Sequence, residues 1–146
     1  MKNLELPKDY DPKNSEKKWQ EYWEKEGIYR FDKNDTSREL FVIDTPPPTV
    51  SGKMHLGHSF SYSQMDFIAR YHRMQGKNVF YPYGTDDNDL STERLIEKLK
   101  NVKSVNMKRS EFIKLCLDTL EEIRPDFVQD WKNIGMSCDF TLFYST

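Results

Sequence analysis

Two histidines three residues apart, His55 and His58, stand in the string His55-Leu56-Gly57-His58. All three histidines of the chain fall between positions 55 and 72. Imidazoles three apart on a helix share one face, about a turn from each other. If a helix begins there, its first N–H groups are unpaired and its dipole is positive, which suits anionic phosphate. Gly57 lets a flat nucleotide ring lie against the backbone. Such a site binds the phosphates of ATP through His55, Gly57 and His58. It also stabilises charge that develops during reaction, which makes His55 and His58 the catalytic candidates. The competing reading is a pair of partly exposed surface histidines. A zinc site is the other use of paired histidines. There is no HExxH string and no third ligand at a familiar spacing, so no metal is expected on these residues.

The surrounding pattern supplies elements to position them. Leu40-Phe41-Val42-Ile43 is continuously apolar, as in a strand buried on both faces of a parallel sheet. Pro46, Pro47 and Pro48 end it in a rigid loop, and Ser51-Gly52 marks a turn. A helix then runs from His55 or Leu56 to about Met74, with Phe60, Ile68 and Tyr71 on its buried stripe and Gly76 just past its end. Asn78 to Tyr81 reads as a second strand, which completes a strand–helix–strand unit and an α/β class. Gly84 to Ser91 reads as a polar loop. A short helix over about Thr92 to Lys100 follows.

A longer helix covers about Ser110 to Lys132. Phe112, Cys116, Leu120, Ile123, Phe127 and Trp131 form its apolar stripe, and Pro125 is expected to kink or split it near Arg124. Phe140 to Tyr144 reads as a third strand. Ahead of the first strand, Asp11-Pro12 signals a helix start, Trp19, Tyr22 and Trp23 form an aromatic stripe, and Gly27 ends the helix. The expected organisation is a helical extension over residues 1–39 and a nucleotide-binding unit over 40–146.

Composition narrows the class. With 22 Lys and Arg against 24 Asp and Glu, the net charge is −2, and the near-neutral balance gives no general case for nucleic-acid binding. Mean hydropathy is −0.85 and no apolar run approaches membrane-spanning length, so no membrane association is expected. Met1 to Glu5 carry no leader-like apolar stretch. Cys116 and Cys138 have no CxxC spacing and read as reduced structural thiols in a cytoplasmic protein.

The segment Phe41-Val42-Ile43-Asp44-Thr45-Pro46-Pro47-Pro48-Thr49-Val50-Ser51-Gly52-Lys53-Met54-His55-Leu56-Gly57-His58 resembles the HIGH signature region of class I aminoacyl-tRNA synthetases. Its Pro-Pro-Pro-x-Val-x-Gly loop has the form found in the valine-specific members. Gly84-Thr85-Asp86-Asp87-Asn88-Asp89-Leu90-Ser91-Thr92-Glu93-Arg94-Leu95 is similar to the GTDDNGLPTERL segment of archaeal-type members. The Trp19–Trp23 helix and the stretch from Glu121 to Tyr144 also look like that family, so the resemblance covers nearly the whole chain.

It implies the first half of a doubly wound, Rossmann-like parallel sheet. The implied activity is ATP-dependent activation of valine to valyl-adenylate with Mg2+, followed by transfer to tRNA(Val). It also implies that His55, Gly57 and His58 contact ATP and that Asp86 binds the amino acid's ammonium group. A backbone carbonyl among Thr45, Pro46 and Pro47 completes the amino-acid site. A position just past a strand's C-terminal end is where open α/β sheets bind ligands, which suits Asp86. Asp87 and Asp89 read as solvated or capping residues.

The sequence departs from the family at two places. Asp89 stands at the usual glycine and Ser91 at the usual proline. Aspartate tolerates positive φ less well than glycine, whereas serine can start a helix by capping. A KMSKS-type loop, the second half of the nucleotide fold, the editing insertion and the anticodon-binding helices have no counterpart here. The expectation is therefore a fragment, a gene remnant, or one piece of a split enzyme that pairs with its missing C-terminal part. A small HxGH nucleotidyltransferase and an inactive synthetase remnant serving as a binding module are the alternative readings.

Overall fold

The computed structural model describes residues 8–146. The leader-free reading of Met1 to Glu5 and the first seven residues of the expected extension lie outside the described residues. Helix α1 (Pro12–Glu26) opens on Asp11, whose carboxylate accepts from the Asn14 amide at 3.3 Å, and closes on Gly27 at φ 60°. Strand β1 (Leu40–Val42) leads through the proline loop into α2 (Leu56–Met74). Then come β2 (Asn78–Phe80), β3 (Pro82–Thr85), α3 (Leu90–Lys100), a 3-10 turn (Ser104–Asn106), α4 (Arg109–Asn133) and β4 (Asp139–Ser145). Gly76 follows α2 at φ 82°, as the sequence predicts.

The pairing is parallel throughout. Leu40, Phe41 and Val42 pair with Asn78, Val79 and Phe80. On the other side, Pro82, Gly84 and Thr85 pair with Asp139, Tyr144 and Ser145. Residues 78–86 thus form the central rail, with β1 and the Thr49–Asp86 bridge on one edge and β4 on the other. With α2 linking β1 to β2, and α3 and α4 linking β3 to β4, two successive crossovers give the expected α/β half-fold.

The predicted second strand therefore extends beyond Tyr81. It breaks there because Pro82 has no N–H to give the ladder, then resumes through Gly84 and Thr85, which were expected in a loop. At Gly84 the Tyr144 ring packs directly on the backbone: a Cβ would lie 2.5 Å from it, so a larger residue would push the ring aside.

Three further expectations are corrected. β1 is not buried on both faces: Leu40 and Val42 are 56% and 52% exposed, while Phe41 stacks on His72 with ring centroids 3.5 Å apart. The buried face of α2 is not Phe60, Ile68 and Tyr71, all of which point outward. It is Asp66 and Ala69, with Tyr62 and Met65 packed beside them. And Pro125 does not split α4, which runs as one helix through it. The carbonyl of Glu121, which loses its i+4 donor there, lies on an exposed stretch where water can replace it. The α4 stripe itself is as expected, with Phe112, Leu120, Phe127 and Trp131 buried.

The buried face of α2 is chosen by a polar cluster. One Asp66 oxygen accepts from both the amide and the hydroxyl of Ser137, each at 2.6 Å, and the other accepts from Arg70 at 2.7 Å. Arg70 continues to the Tyr29 hydroxyl at 2.9 Å and the Gly135 carbonyl at 2.5 Å. Arg73 donates to the hydroxyl and carbonyl oxygens of Ser137 at 2.7 and 2.8 Å. The Phe31 amide donates to the Asp139 carboxylate at 2.9 Å and the Asn78 side chain donates to the Asp32 carbonyl at 2.7 Å, which ties the segment before β1 to β4 and β2. Both cysteines are free, and burial pushes the Cys138 thiol up to about 12. No helix among the described residues is long and apolar enough to cross a membrane.

Removing one member of a buried, paired charge leaves the other uncompensated, at about 3–5 kcal/mol. Asp66→Ala is therefore expected to lower the urea-unfolding free energy of the chain by about that much. A loss under roughly 1 kcal/mol would show that this cluster does not hold α2 to the β4 approach.

Candidate active site at the start of the second helix

His55 is the N-cap of α2, with extended backbone and no side-chain capping bond. The first-turn amides are therefore left without a capping side chain. The His55 and His58 rings stack, with centroids 3.9 Å apart and planes 19° apart. Gly57 makes that stacking possible in a way spacing alone does not suggest: a Cβ there would lie 3.1 Å from two atoms of the His55 ring. His55 is exposed and His58 half-buried. Burial, and then the nearby His55, hold the His58 imidazole below its ordinary 6.5, so it is neutral at pH 7. Its Nδ1 is buried and meets no hydrogen-bond partner.

Behind His58 lies an aromatic wall. Trp131, fully buried on α4, has its ring 5.7 Å from His58, 4.5 Å from Tyr62 and 6.0 Å from Tyr83. Burial pushes the Tyr62 phenol up to about 12 and Tyr83 higher still, so both stay protonated. Tyr62 donates to the Pro46 carbonyl at 2.7 Å, which fastens the proline loop to α2. Thr45 keeps a buried hydroxyl without a partner, and Pro47 is half-buried beside it.

The loop's far end is fastened to β3. The Asp86 amide donates to the Pro48 carbonyl at 2.9 Å, and the Val50 amide to the Asp86 carbonyl at 3.2 Å. One carboxylate oxygen of Asp86 accepts from the Asn88 amide at 3.2 Å and the Thr146 hydroxyl at 3.0 Å. The other accepts from Thr49 at 3.4 Å.

The predicted residues therefore form two groups. His55, Gly57 and His58 sit together on α2. Thr45, Pro46, Pro47 and Asp86 belong to the loop and the end of β3, joined to α2 through Tyr62. No hydrogen bond links the histidines to Asp86 among the described residues. The cleft of about 320 Å³ between α1, α4 and β4 contains none of these residues and is not this site. No cluster of three or more potential ligands for a metal ion occurs among the described residues.

Asp87 is not solvated: it is paired with Arg124 at 2.6 Å. Asp89 is the N-cap of α3 at φ −82°, accepting from the Ser91 amide and hydroxyl at 2.6 and 2.5 Å. The position needs no positive φ, and Asp89 rather than Ser91 does the capping. Thr49, Tyr62 and Trp131 were not foreseen as site residues. Trp131 was visible only as one more apolar position on the α4 stripe, and nothing in the periodicity singles out the Tyr62 hydroxyl.

Comparison with known proteins bears on the family and the fold. The family model described as tRNA synthetases class I (I, L, M and V) matches residues 18–146. A protein named Valine--tRNA ligase from Rickettsia rickettsii (strain Sheila Smith) is 51% identical over 142 residues, covering 97% of this chain and 18% of that protein. One of the same name from Thermoplasma acidophilum is 51% identical over 138 residues, covering 94% of this chain and 17% of that protein. Among solved structures, a chain of the Agrobacterium radiobacter K84 agnB2 LeuRS-tRNA-LeuAMS ternary complex superposes with a TM-score of 0.68 at 22% identity. That match spans 94% of this chain and 16% of that one, and it bears on the fold. The chain spans under a fifth of the length of the curated relatives it matches. Its parallel half-sheet, its histidine pair at the head of α2 and the match over residues 18–146 establish that the chain belongs to the class I tRNA synthetase family.

Proposed function

We propose that this chain supplies the ATP- and amino-acid-binding half of a valine–tRNA ligase. In the first step a carboxylate oxygen of valine attacks the α-phosphorus of ATP. A P–O bond forms, the α–β anhydride breaks, and pyrophosphate leaves with the bonding electron pair. A hydroxyl at the 3′ end of tRNA(Val) then attacks the valyl carbonyl; an ester bond forms, the acyl–phosphate bond breaks and AMP leaves.

The observation that carries the reading is the pair of stacked imidazoles on the uncapped N-terminus of α2, with His58 Nδ1 buried and unpartnered. Free amides, dipole and imidazole together suit a polyphosphate. His58, neutral and half-buried, is placed to steady charge as it develops on the phosphate; His55 and Gly57 frame the same phosphates. Mg2+ bound to ATP would neutralise part of its charge. Asp86 offers the ammonium group a carboxylate already oriented by three donors. The Pro46 carbonyl has one lone pair engaged by Tyr62 and one free, and the Thr45 and Pro47 carbonyls flank it. The choice of valine rests on the names of the relatives at 51% identity. No finding favours the nucleotidyltransferase or binding-module alternatives.

The test is ATP–pyrophosphate exchange in a chimera where this chain replaces the matching segment of the Rickettsia rickettsii relative. Valine is expected to be preferred over isoleucine, leucine and methionine, and preference for another amino acid would overturn the assignment. In that chimera His58→Ala is expected to lower kcat about 100- to 1000-fold, with little change in the KM for ATP, the usual scale for one preorganised donor. Asp86→Ala is expected to act mainly on the KM for valine. If His58→Ala moves only the ATP KM, its role is ground-state binding.

The His58 environment makes a separate prediction for the chain alone. By NMR titration His58 is expected to protonate below 6.5, and His55→Ala is expected to raise that midpoint without restoring it, since burial remains. The native state holds the proton less tightly than the unfolded chain, so the His58 contribution is intact above about 6.5 and is lost as pH falls below it. A His58 midpoint unmoved by His55→Ala would rule out the like-charge contribution.

A further inference from the structure

Helix α2 is apolar on two opposite faces. One packs Tyr62, Met65 and Ala69 into the core. The other presents Leu56, Phe60, Phe67, Tyr71 and Met74, all 53% to 84% exposed. Their steps are four, seven, four and three. At 100° per residue they fall within an arc of about 60°, along a seam roughly 27 Å long. Only Ser63 and Gln64 interrupt it. The charged residues of α2, Asp66, Arg70 and Arg73, are all committed to Ser137, Gly135 and Tyr29 on another side. A contiguous exposed apolar stripe of this kind marks an interaction surface.

Nothing among the described residues covers this seam, and extending the sheet does not. New strands joining the open edge of β1 lie in the sheet plane, beneath the other face of α2. The cover must form a layer outside α2. A neutral aliphatic and aromatic seam lacks the cations that hold a phosphate backbone or an anionic lipid surface. It has the form of a surface that accepts the apolar face of another helix. Five side chains on one helix offer on the order of 500 Å², short of the roughly 800 Å² per partner of a standard interface between separate molecules. A tethered partner does not need that area, because its effective concentration is high. More than four fifths of the length of the relatives lies outside the matched region.

We propose that the outer seam of α2 is the docking face for an amphipathic helix of the kind of polypeptide that the relatives carry outside the matched region. This holds whichever amino acid the site takes, so it stands or falls separately from the valine assignment.

Thiol labelling reads the seam directly. Phe67→Cys and Tyr71→Cys are made in the isolated chain and in the chimera with the Rickettsia rickettsii relative, and alkylation rates are followed by peptide mass spectrometry. Lys114→Cys, at an exposed position on α4, is the control. The seam thiols are expected to react freely in the isolated chain and at least about a hundredfold more slowly in the chimera, with the control unchanged. Equal rates in a chimera that melts cooperatively would overturn the proposal. So would protection of the isolated chain that grows with its own concentration, which means a second copy, or protection that appears only on adding tRNA. If the chimera does not fold, the same substitution at the aligned position of the unaltered relative gives the reading. Free labelling there overturns the proposal as well.

Discussion

A carboxylate inside an apolar core costs several kcal/mol unless its lone pairs are answered. For Asp66 the answers come from one helical turn along α2, Arg70, and from a residue 71 positions later in sequence, Ser137. Because both partners are fixed, α2 can settle on the sheet in only one rotation about its axis. Arg70 spreads the constraint further: its guanidinium lies 5.3 Å from the Trp23 ring and 5.2 Å from Tyr29, so α1 and the chain after it are held by the same cation. Such a cluster contributes less to net stability than to uniqueness, since a hydrophobic replacement of equal volume can be as stable. Here it turns an otherwise ambiguous helix into one that aims its first turn, and hence His55 and His58, at the mouth of the proline loop.

From that anchor the site assembles by short ties. Tyr62, one turn beyond His58, fastens the loop to α2, while Trp131 on α4 closes the space behind the histidine. The pairing of Pro48 and Val50 with Asp86 carries the loop onto the central rail. Rigid prolines make this economical, because a loop with few conformations loses little entropy when it is fixed at both ends. The low proton affinity of His58 follows from the same packing, since the wall that positions the ring also removes water from it.

Much of this was legible in the sequence, and the failures are instructive. Asp11 and Gly27 bracket α1, and Gly76 ends α2, because caps are local and chemically specific. The α4 stripe was legible because apolar residues occur on one face only. The α2 stripe was misread because Phe60, Ile68 and Tyr71 compete with Met65 and Ala69, and periodicity cannot rank two apolar faces. What decides between them is Asp66, whose partner Ser137 is remote in sequence. The end of the second strand was misread because proline and glycine there look like loop residues. The pairing that makes Gly84 a strand residue comes from β4, which is remote in sequence. The motif residues were legible as types, whereas their supports, Tyr62, Thr49 and Trp131, act through tertiary contacts that no spacing records.

The ties of Asp86 bear on the order in which a nascent chain matures. Its carboxylate takes one of its three donors from Thr146, which lies 60 residues further along. While the ribosome has delivered only as far as Ser137, just short of β4, the central rail has one bare edge, Tyr144 is not yet stacked over Gly84, and the carboxylate has only the Asn88 and Thr49 donors. Parallel pairing of this kind closes long loops before it returns any stabilisation, so it forms late. The histidine end of the site can therefore take shape early in synthesis, while the carboxylate end waits for β4. During that interval the exposed rail and the outer seam of α2 are the surfaces a chaperone would meet first.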